Sequence, residues 1–376
     1  MRAALLQEYL TQDGGAEVVY RELAGLLPDA DLFAFFASDP DREARLLGGR
    51  RIKESWAAPL ARRLPDYRVL FPLFPRLARS FRLKGYDLVV SSSFSLAKAV
   101  RLRPGQVHVC YCHTPPRWLW DMSDSYVQAM RGGALSKRAA RLLMKPLRKA
   151  DLRAGRRVDL FVANSEFVRS RIQRIYGKDA VVIHPPVDVE RFRLGTARQD
   201  SYFTLSRLVP YKNVEFLVRA FREMPERRLV IGGGGPELAH LRSIAPPNVE
   251  LLGRIPDDEV ARRMAQARAF VFAAEEDFGI APVEAQAAGT PVVAYGRGGA
   301  LETVVEGETG VFFRELSTGS LREALVRLDG LSLSPQRIRD HARRFSREAF
   351  RQRMGDLLRQ VEAGVLPAKV VGKVAA

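Results

Sequence analysis

Short apolar runs alternate with amphipathic helical patterns in both halves of the chain. This alternation is typical of parallel sheets joined by crossover helices. The predicted strands of the first half are 2–7, 32–37, 87–92, 107–112 and 160–165. Those of the second half are 201–206, 228–233, 249–253, 269–274, 291–296 and 309–313. The pattern therefore predicts an α/β protein with two sheets.

The segment VVIHPPVDVERF, residues 181–192, separates the two sets of strands. Its double proline ends a strand and stiffens the connection. A chain of 376 residues also exceeds the length at which one hydrophobic core stops growing. We therefore predict domains at 1–185 and 186–345, followed by a helix at 346–364 with apolar residues at helical spacing.

The net charge of +17 is concentrated in the first half, where residues 1–190 hold 32 basic and 20 acidic side chains. Segments 48–64 and 136–157 resemble basic amphipathic helices, which suit an anionic lipid surface. Only ten of the sixty basic residues are lysine, so a generally arginine-rich composition explains the charge equally well. No nucleic-acid motif accompanies the charge, which disfavours a nucleic-acid binder.

Residues 1–12 lack the features of a signal peptide, and no apolar run is long enough to span a membrane. Cys110 and Cys112 lie too close on a predicted strand for an ordinary structural disulfide. We therefore expect a cytoplasmic protein, or one peripheral on the inner face of the plasma membrane.

The stretch EEDFGIAPVEAQAAGTPVV, residues 275–293, joins two predicted strands. Pro282 suits the first position of a helix that ends near Gly289, which places Glu276 at the carboxyl end of a strand and Glu284 in the first helical turn. Ligands bind at this edge of open α/β sheets. A carboxylate such as Glu284 can accept both hydroxyls of a ribose diol, although helix-dipole stabilisation explains that residue alone.

This stretch, with its two glutamates around Phe278 and Gly279, resembles the signature of family 4 retaining glycosyltransferases. The resemblance implies the GT-B fold, two Rossmann-like domains with parallel sheets facing a cleft, completed by the helix at 346–364 crossing back onto the first domain. The segment LSRLVPYKN, residues 205–213, is similar to the one that holds the donor diphosphate, here through Arg207 and Lys212.

The resemblance also implies roles for other residues. The implied donor-binding set is Gly14, Gly15, Arg207, Lys212, Gly253, Arg254, Ile255, Glu276, Phe278, Gly279, Ile280 and Glu284. YCHTPPRWLWD, residues 111–121, resembles a segment of bacterial O-antigen and exopolysaccharide mannosyltransferases, with His113 on the sugar or acceptor and Arg117, Trp118 and Trp120 as an acceptor-side wall.

The resemblance implies a hexosyltransferase that moves mannose from GDP-mannose to a lipid-linked or polysaccharide acceptor in bacterial surface glycan synthesis. Its implied catalytic residues are Glu276, His113, Arg207 and Lys212. A UDP-sugar-dependent enzyme of the same fold and a non-catalytic sugar or lipid-diphosphate binding subunit are the alternatives. No metal or cofactor is expected. The side chains of His108, Cys110, Cys112 and His113 make a poor tetrahedral set because they lie at close positions along one strand, and the Asp-Ala-Asp at 29–31 is typical of a turn.

Overall fold

The computed structural model describes residues 1–12, 14–129, 133–195 and 198–365. The chain divides into two compact units. One comprises Met1–His184 and the chain from Arg351 onward, and the other comprises Pro185–Phe350.

The first unit contains a seven-stranded sheet in which every paired strand is parallel. Its strands are β1 (Ala3–Leu10), β2 (Asp31–Ala37), β3 (Ile52–Glu54), β4 (Leu88–Ser93), β5 (Val107–Cys112), β6 (Leu160–Ala163) and β7 (Ala180–Val182), in the order β3-β2-β1-β4-β5-β6-β7. Its helices are α1 (Gly15–Leu26), α2 (Pro40–Leu46), α3 (Ala58–Arg63), α4 (Phe74–Ser80), α5 (Ser123–Ala129), α6 (Ala134–Arg156) and α7 (Glu166–Tyr176). The central strands are buried along nearly their whole length because helices cover both faces of the sheet.

The second unit repeats this architecture with a six-stranded parallel sheet. Its strands are β8 (Ser201–Leu205), β9 (Arg228–Gly232), β10 (Val249–Gly253), β11 (Phe270–Phe272), β12 (Val292–Tyr295) and β13 (Gly310–Phe313), in the order β10-β9-β8-β11-β12-β13. Its helices are α8 (Val214–Arg222), α9 (Leu238–Ile244), α10 (Asp257–Gln266), α11 (Ile280–Ala287), α12 (Ala300–Thr303), α13 (Thr318–Asp329) and α14 (Pro335–Ala342). Two apolar clusters pack on its sheet, one around Phe270 and one around Val271, because neighbouring residues of a strand point to opposite faces.

The last helix, α15 (Arg347–Glu362), begins in the second unit and continues into the first. Within the second unit, Arg347 forms an ion pair with Asp188 at 3.1 Å. Within the first unit, Arg351 donates to Glu22 at 2.5 Å, so the helix is attached to α1. The apolar residues Met354, Leu357, Leu358 and Val361 are buried, as their spacing predicts.

The predicted α/β architecture of two Rossmann-like parallel sheets is confirmed. The interpretation of 48–64 as one basic helix is wrong, because residues 52–54 form the edge strand β3, which pairs with β2, and only 58–63 are α-helical. A three-residue strand with one apolar residue is too short to show the strand period. The basic helix at 136–157 is confirmed as α6. No helix in the described ranges is long and apolar enough to cross a membrane.

Candidate active site

The carboxyl edge of the second sheet contains a topological switch point between β8 and β11. From β8 the chain proceeds to β9 and β10 on one side, and β11, β12 and β13 lie on the other side. The loops that leave β8 and β11 therefore diverge at this edge, which makes a crevice where α/β proteins bind ligands. Most of the predicted donor-binding residues lie on these loops or on the neighbouring ones.

Two predicted catalytic residues are in direct contact at this switch point. Lys212, on the loop after β8, forms an ion pair with Glu276, on the loop after β11. Both side chains are largely buried, with 14% and 24% of their surfaces exposed. The next residue, Asn213, adopts a left-handed conformation at φ 56° and donates to the Ala273 carbonyl at 2.9 Å. This bond fixes the Lys212 loop against the end of β11.

Arg207 lies on the same loop after β8, and its side chain is exposed. No carboxylate of the described residues forms an ion pair with its guanidinium. A solvent-exposed cation on the same loop as Lys212 suits a multiply charged ligand such as a diphosphate, because a guanidinium can bind two phosphate oxygens at once.

The loop after β12 contains two glycines that the sequence reasoning missed. The Gly299 amide donates to the Glu276 carbonyl at 2.9 Å. A Cβ at Gly298 would lie 2.3 Å from the same carbonyl, and one at Gly299 would lie 2.4 Å from the Phe278 Cα. Only glycine allows this approach, so the loop 296–299 supports the backbone around Glu276. The Gly-Arg-Gly-Gly sequence directly after a strand is the signal that could have identified it.

The glycine-rich turn after β9 packs closely against the loop after β8. A Cβ at Gly233 would lie 1.8 Å from the Ser206 carbonyl oxygen, and one at Gly235 would lie 2.2 Å from that of Leu208. The Gly233 amide donates to the Gly253 carbonyl at 2.7 Å, which joins this turn to the end of β10. The segment 253–255, which is predicted to contact the base, therefore lies close to the loop after β8.

Arg254 and Ile255 directly follow β10, and their side chains lie against the turn after β9. Arg254 is exposed, and its side chain lies over Gly234, where an added Cβ would meet the Arg254 Cγ at 2.9 Å. Ile255 is partly buried against the apolar cluster around Phe270. Gly253 has φ 74°, a left-handed conformation that favours glycine. Their predicted contacts with a nucleotide base stay predictions.

Helix α11 begins earlier than its sequence pattern predicted. Gly279 is the N-cap at φ 87°, Ile280 is the first helical residue, and Pro282 is the third. Glu284 therefore lies beyond the first turn, and the prediction that it lies in the first turn is wrong. The left-handed Gly279 turns the chain into the helix two residues before the proline. The backbone amides at the start of α11 remain suited to an anion or to hydroxyl groups.

Glu284 is largely buried rather than a solvated helix-dipole partner. Its carboxylate lies 3.4 Å from Arg191, and 17% of its side chain is exposed. Burial raises the pKa of Glu284, and the nearby Arg191 charge acts in the opposite direction. Phe278 is also buried, with its ring centroid 5.5 Å from that of Phe345. The Phe278 side chain therefore anchors the loop, and the predicted contact of its backbone with a ligand stays a prediction.

The predicted glycine loop of the first unit precedes α1. Gly14 is the N-cap, and Gly15 is the first residue of the helix. A Cβ at Gly14 would lie 2.9 Å from the Glu17 carboxylate, so the loop packs closely over this side chain. Burial raises the pKa of Glu17 to about 7, although backbone hydrogen bonds from Glu17, Gly14 and Thr11 oppose the shift.

The other candidate residues of the first unit follow β5. His113 directly follows this strand, and its Nε2 lies 2.8 Å from Ser92 Oγ. Trp118 belongs to the hydrophobic core and is 9% exposed, with its ring 5.2 Å from that of Phe71. Trp120 is partly buried and donates to Asp151 at 2.8 Å. Arg117 is also partly buried. The acceptor-side role of Arg117, Trp118 and Trp120 stays a prediction.

Sequence reasoning also missed a buried carboxylate that organises the loop after β4. Glu8 is inaccessible to solvent and accepts hydrogen bonds from the Ser93 hydroxyl and from the Ser95 and Ala97 amides, each at 2.8 Å. The burial raises the pKa of Glu8, and these donors act to lower it. A single glutamate in an apolar strand gives no local signal of its partners, which lie more than eighty residues away. Among the described residues, no cluster of three histidine, cysteine or acidic side chains could hold a metal ion.

Two family models match the chain: Glycosyltransferase Family 4 over residues 13–191 and Glycosyl transferases group 1 over residues 188–345. The chain thus belongs to the family 4 glycosyltransferases, as its motifs predicted. A sucrose-phosphate synthase of Thermosynechococcus elongatus has the same fold, with a TM-score of 0.73 and 19% identity over 97% of this chain and 100% of that one. The GT-B fold class is confirmed.

The curated relatives include mannosyltransferases. One is a GDP-mannose-dependent α-(1-6)-phosphatidylinositol monomannoside mannosyltransferase of Mycolicibacterium smegmatis, 34% identical over 44% of this chain and 52% of the relative. Another is an α-1,3/1,6-mannosyltransferase of Schizosaccharomyces pombe, 25% identical over 60% of this chain and 52% of the relative. The chain spans about half the length of these relatives.

Proposed function

We propose that the protein is a retaining hexosyltransferase that transfers mannose from GDP-mannose to a lipid-linked acceptor in bacterial surface glycan synthesis. The observation that carries this proposal is the Lys212–Glu276 pair at the switch point of the second sheet, with the exposed cation Arg207 on the same loop. A diphosphate needs cations, and a sugar needs a fixed carboxylate that accepts from its hydroxyls. The site offers both groups from adjacent loops.

In the proposed reaction, an acceptor hydroxyl oxygen bonds to the anomeric carbon on the face from which the diphosphate leaves. The bond between the anomeric carbon and the diphosphate oxygen breaks, and the hydroxyl proton passes to the departing diphosphate. Arg207 and Lys212 stabilise the negative charge that develops on this leaving group. Glu276 orients the sugar, and Glu284 accepts hydrogen bonds from the ribose diol.

The mannosyltransferase relatives support mannose as the transferred sugar, and the donor named for the mycobacterial relative supports a guanine nucleotide. That relative acts on a phosphatidylinositol monomannoside, which supports a lipid-linked acceptor. The first unit would bind this acceptor, and the second would bind the donor. The donor is a substrate, so the proposed reaction requires no resident cofactor.

A lipid-linked acceptor requires access to a membrane, and α6 has a suitable surface for it. Leu135 and Leu142 lie two turns apart on this helix and are 82% and 67% exposed. The intervening Arg138 and Arg141 are also exposed. Exposed leucines beside arginines are typical of helices that lie in the interface of an anionic bilayer. These exposed side chains support the proposal that the enzyme lies at the cytoplasmic face of the plasma membrane.

The test is a donor panel on the purified protein with a lipid extract of bacterial membranes as acceptor. GDP-mannose, UDP-glucose and UDP-galactose, each labelled in the sugar, are supplied separately, and label in the lipid phase is counted. We expect transfer from GDP-mannose only, and its loss in Glu276→Gln but not in the exposed control Glu323→Gln. Transfer from a UDP-sugar would support a glycosyltransferase but contradict GDP-mannose as its donor. Transfer that survives Glu276→Gln would contradict the proposed site.

A further inference from the structure

His113 lies at the end of a chain of hydrogen bonds that begins in β1. Gln7 donates from Nε2 to the Tyr9 carbonyl at 3.1 Å. Its Oε1 lies 2.7 Å from the hydroxyl of Ser92 in β4, and that hydroxyl lies 2.8 Å from His113 Nε2. Gln7 and Ser92 are buried completely, so water does not compete for these contacts.

The chemistry of these groups fixes the direction of every bond. The Tyr9 carbonyl can only accept, so the amide nitrogen of Gln7 must face it and the amide oxygen must face Ser92. That oxygen also only accepts, and Ser92 therefore gives it its single hydroxyl proton. The Ser92 oxygen must then accept from His113, which requires a proton on Nε2. A neutral imidazole with its proton on Nε2 has a bare lone pair on Nδ1.

The surroundings of the ring maintain this neutral form. The imidazole is partly buried, with ring centroids 5.1 Å from Tyr111 and 6.1 Å from Phe94. Burial lowers the pKa of His113 to about 3, so the ring carries no charge near neutrality. Nδ1 receives no hydrogen bond from the described part of the chain. His113 Nδ1 is not one of the buried side-chain atoms that lack a hydrogen-bond partner. The atom therefore reaches the surface, where a ligand can contact it.

We propose that Gln7 and Ser92 are positioning residues that hold His113 as the Nε2-protonated tautomer and thereby present Nδ1 as an acceptor for a sugar hydroxyl. This inference rests on the proposed function for the identity of the ligand as a sugar. The tautomer itself follows from the hydrogen bonds alone. In the other tautomer Nδ1 would be a donor, and a hydroxyl could not donate to it.

The neighbouring residue of β4 provides a matched control. Ser91 points to the opposite face of the sheet, where its hydroxyl lies 2.9 Å from His108 Nε2, and both residues are fully buried. Ser91→Ala therefore removes a buried serine–histidine contact from the same strand without touching His113. Ser92→Ala removes the acceptor of His113 Nε2, and Gln7→Leu removes the acceptor of the Ser92 proton.

The experiment is ¹⁵N NMR of the protein labelled at its five histidines, without any nucleotide or sugar. The His113 ring is assigned by its absence in His113→Gln. We expect a protonated Nε2 and a bare Nδ1 in the wild type and in Ser91→Ala, and a shift of the proton toward Nδ1 in Ser92→Ala and Gln7→Leu. A wild-type ring protonated on Nδ1, or a tautomer unchanged in both variants, would overturn the proposal that Gln7 and Ser92 hold the His113 tautomer.

A kinetic measurement then tests whether the tautomer matters. We expect kcat/KM for the labelled donor to fall about fivefold to tenfold in Ser92→Ala, the effect of one lost hydrogen bond, and to remain at the wild-type value in Ser91→Ala. Ser92→Thr, which keeps the hydroxyl, should restore both the tautomer and the rate. An altered tautomer with an unchanged kcat/KM would overturn the positioning role. A wild type that transfers no sugar would instead overturn the proposed function, and the spectrum would still decide the tautomer.

Discussion

Lys212 donates from Nζ to Oε1 of Glu276, and this bond joins the loops that follow β8 and β11. The two residues are 64 positions apart in the chain, yet they share the switch point of one sheet. The cation that would bind the departing diphosphate thus also holds the carboxylate that would orient the sugar. A substitution of either residue should disturb both functions.

The first prediction concerns this pair. Lys212→Met and Glu276→Gln should each lower kcat/KM by about 100-fold or more, because each removes a preorganised charge from the proposed transition state. The double variant should lose less than the product of the two single effects, since the residues act as a unit. Steady-state kinetics with the labelled donor measures all three variants.

The matched control for that pair is the exposed contact between Arg228 and Glu250, 2.7 Å apart. Arg228 begins β9 and therefore lies at the amino edge of the sheet, opposite the proposed site. Arg228→Met and Glu250→Gln should leave kcat/KM unchanged. Equal losses in the two pairs would attribute the effect to general destabilisation and contradict the prediction.

The second prediction concerns nucleotide recognition by Glu284. GDP at 100 times its dissociation constant should add about 2.7 kcal/mol to the free energy of unfolding, and UDP and ADP at equal concentration should add less. Glu284→Ala should weaken GDP binding about tenfold, because its carboxylate no longer accepts from the ribose. Thermal unfolding with each nucleotide measures this. Glu323→Ala, on an exposed face of α13, should respond to GDP as the wild type does.

The third prediction separates backbone strain from steric conflict in the loop after β12. Gly298 and Gly307 both have left-handed conformations, with φ of 62° and 79°. An added Cβ meets the Glu276 carbonyl at 2.3 Å in the first case and no atom within 4 Å in the second. Gly307→Ala should cost about 1–2 kcal/mol of unfolding free energy, the cost of the left-handed backbone. Gly298→Ala should cost more and should also lower the rate of sugar transfer.

Urea unfolding and donor kinetics on both glycine variants test this prediction. An equal loss of stability in the two variants, with transfer intact in Gly298→Ala, would show that the loop does not support Glu276.

The fourth prediction concerns Glu17 beneath the glycine loop. The pKa of Glu17 is raised from 4.5 to about 7. Between these two pH values, Glu17 keeps its proton in the folded protein and has released it in the unfolded chain. The stability from this group is complete below pH 4.5 and is lost as the pH rises through 7. Glu17→Gln cannot ionise, so its unfolding free energy relative to wild type should rise with pH, by up to about 3 kcal/mol.

Urea unfolding at several pH values across this window measures the difference between the two proteins. Glu323→Gln should run parallel to the wild type over the same range. A difference between Glu17→Gln and wild type that stays constant with pH would show that Glu17 is ionised in the folded protein throughout.

The fifth prediction concerns the leucines of α6. Leu135→Ser with Leu142→Ser should weaken binding to phosphatidylglycerol vesicles by at least about tenfold, because two exposed side chains no longer enter the bilayer interface. Added salt should weaken wild-type binding further through screening of the arginines. Cosedimentation measures both effects. The control is Leu301→Ser with Val326→Ser, whose side chains are 51% and 56% exposed in the second unit.

The sequence alone determined the α/β class, because buried parallel strands are continuous apolar runs and their alternation with helices allows few arrangements. It also predicted the loops of the candidate site, because the stretch around Gly279 and the segment from Arg207 to Lys212 resemble those of family 4 glycosyltransferases. It missed β3, because three residues are too few to show the alternation of apolar and polar positions that indicates a strand. It misplaced Glu284, because the left-handed Gly279 started the helix before the proline.

Only the tertiary structure decided which side chains meet. Three arrangements join residues from different strands or loops. They are the Lys212–Glu276 pair, the close approach of Gly298 to Glu276, and the hydrogen bonds from His113 through Ser92 to Gln7. Local propensity depends on neighbours in the chain, whereas these contacts depend on strand order and register. The sequence therefore supplied the reactive groups, and the packing of the sheets supplied their partners and, for His113, the position of its proton.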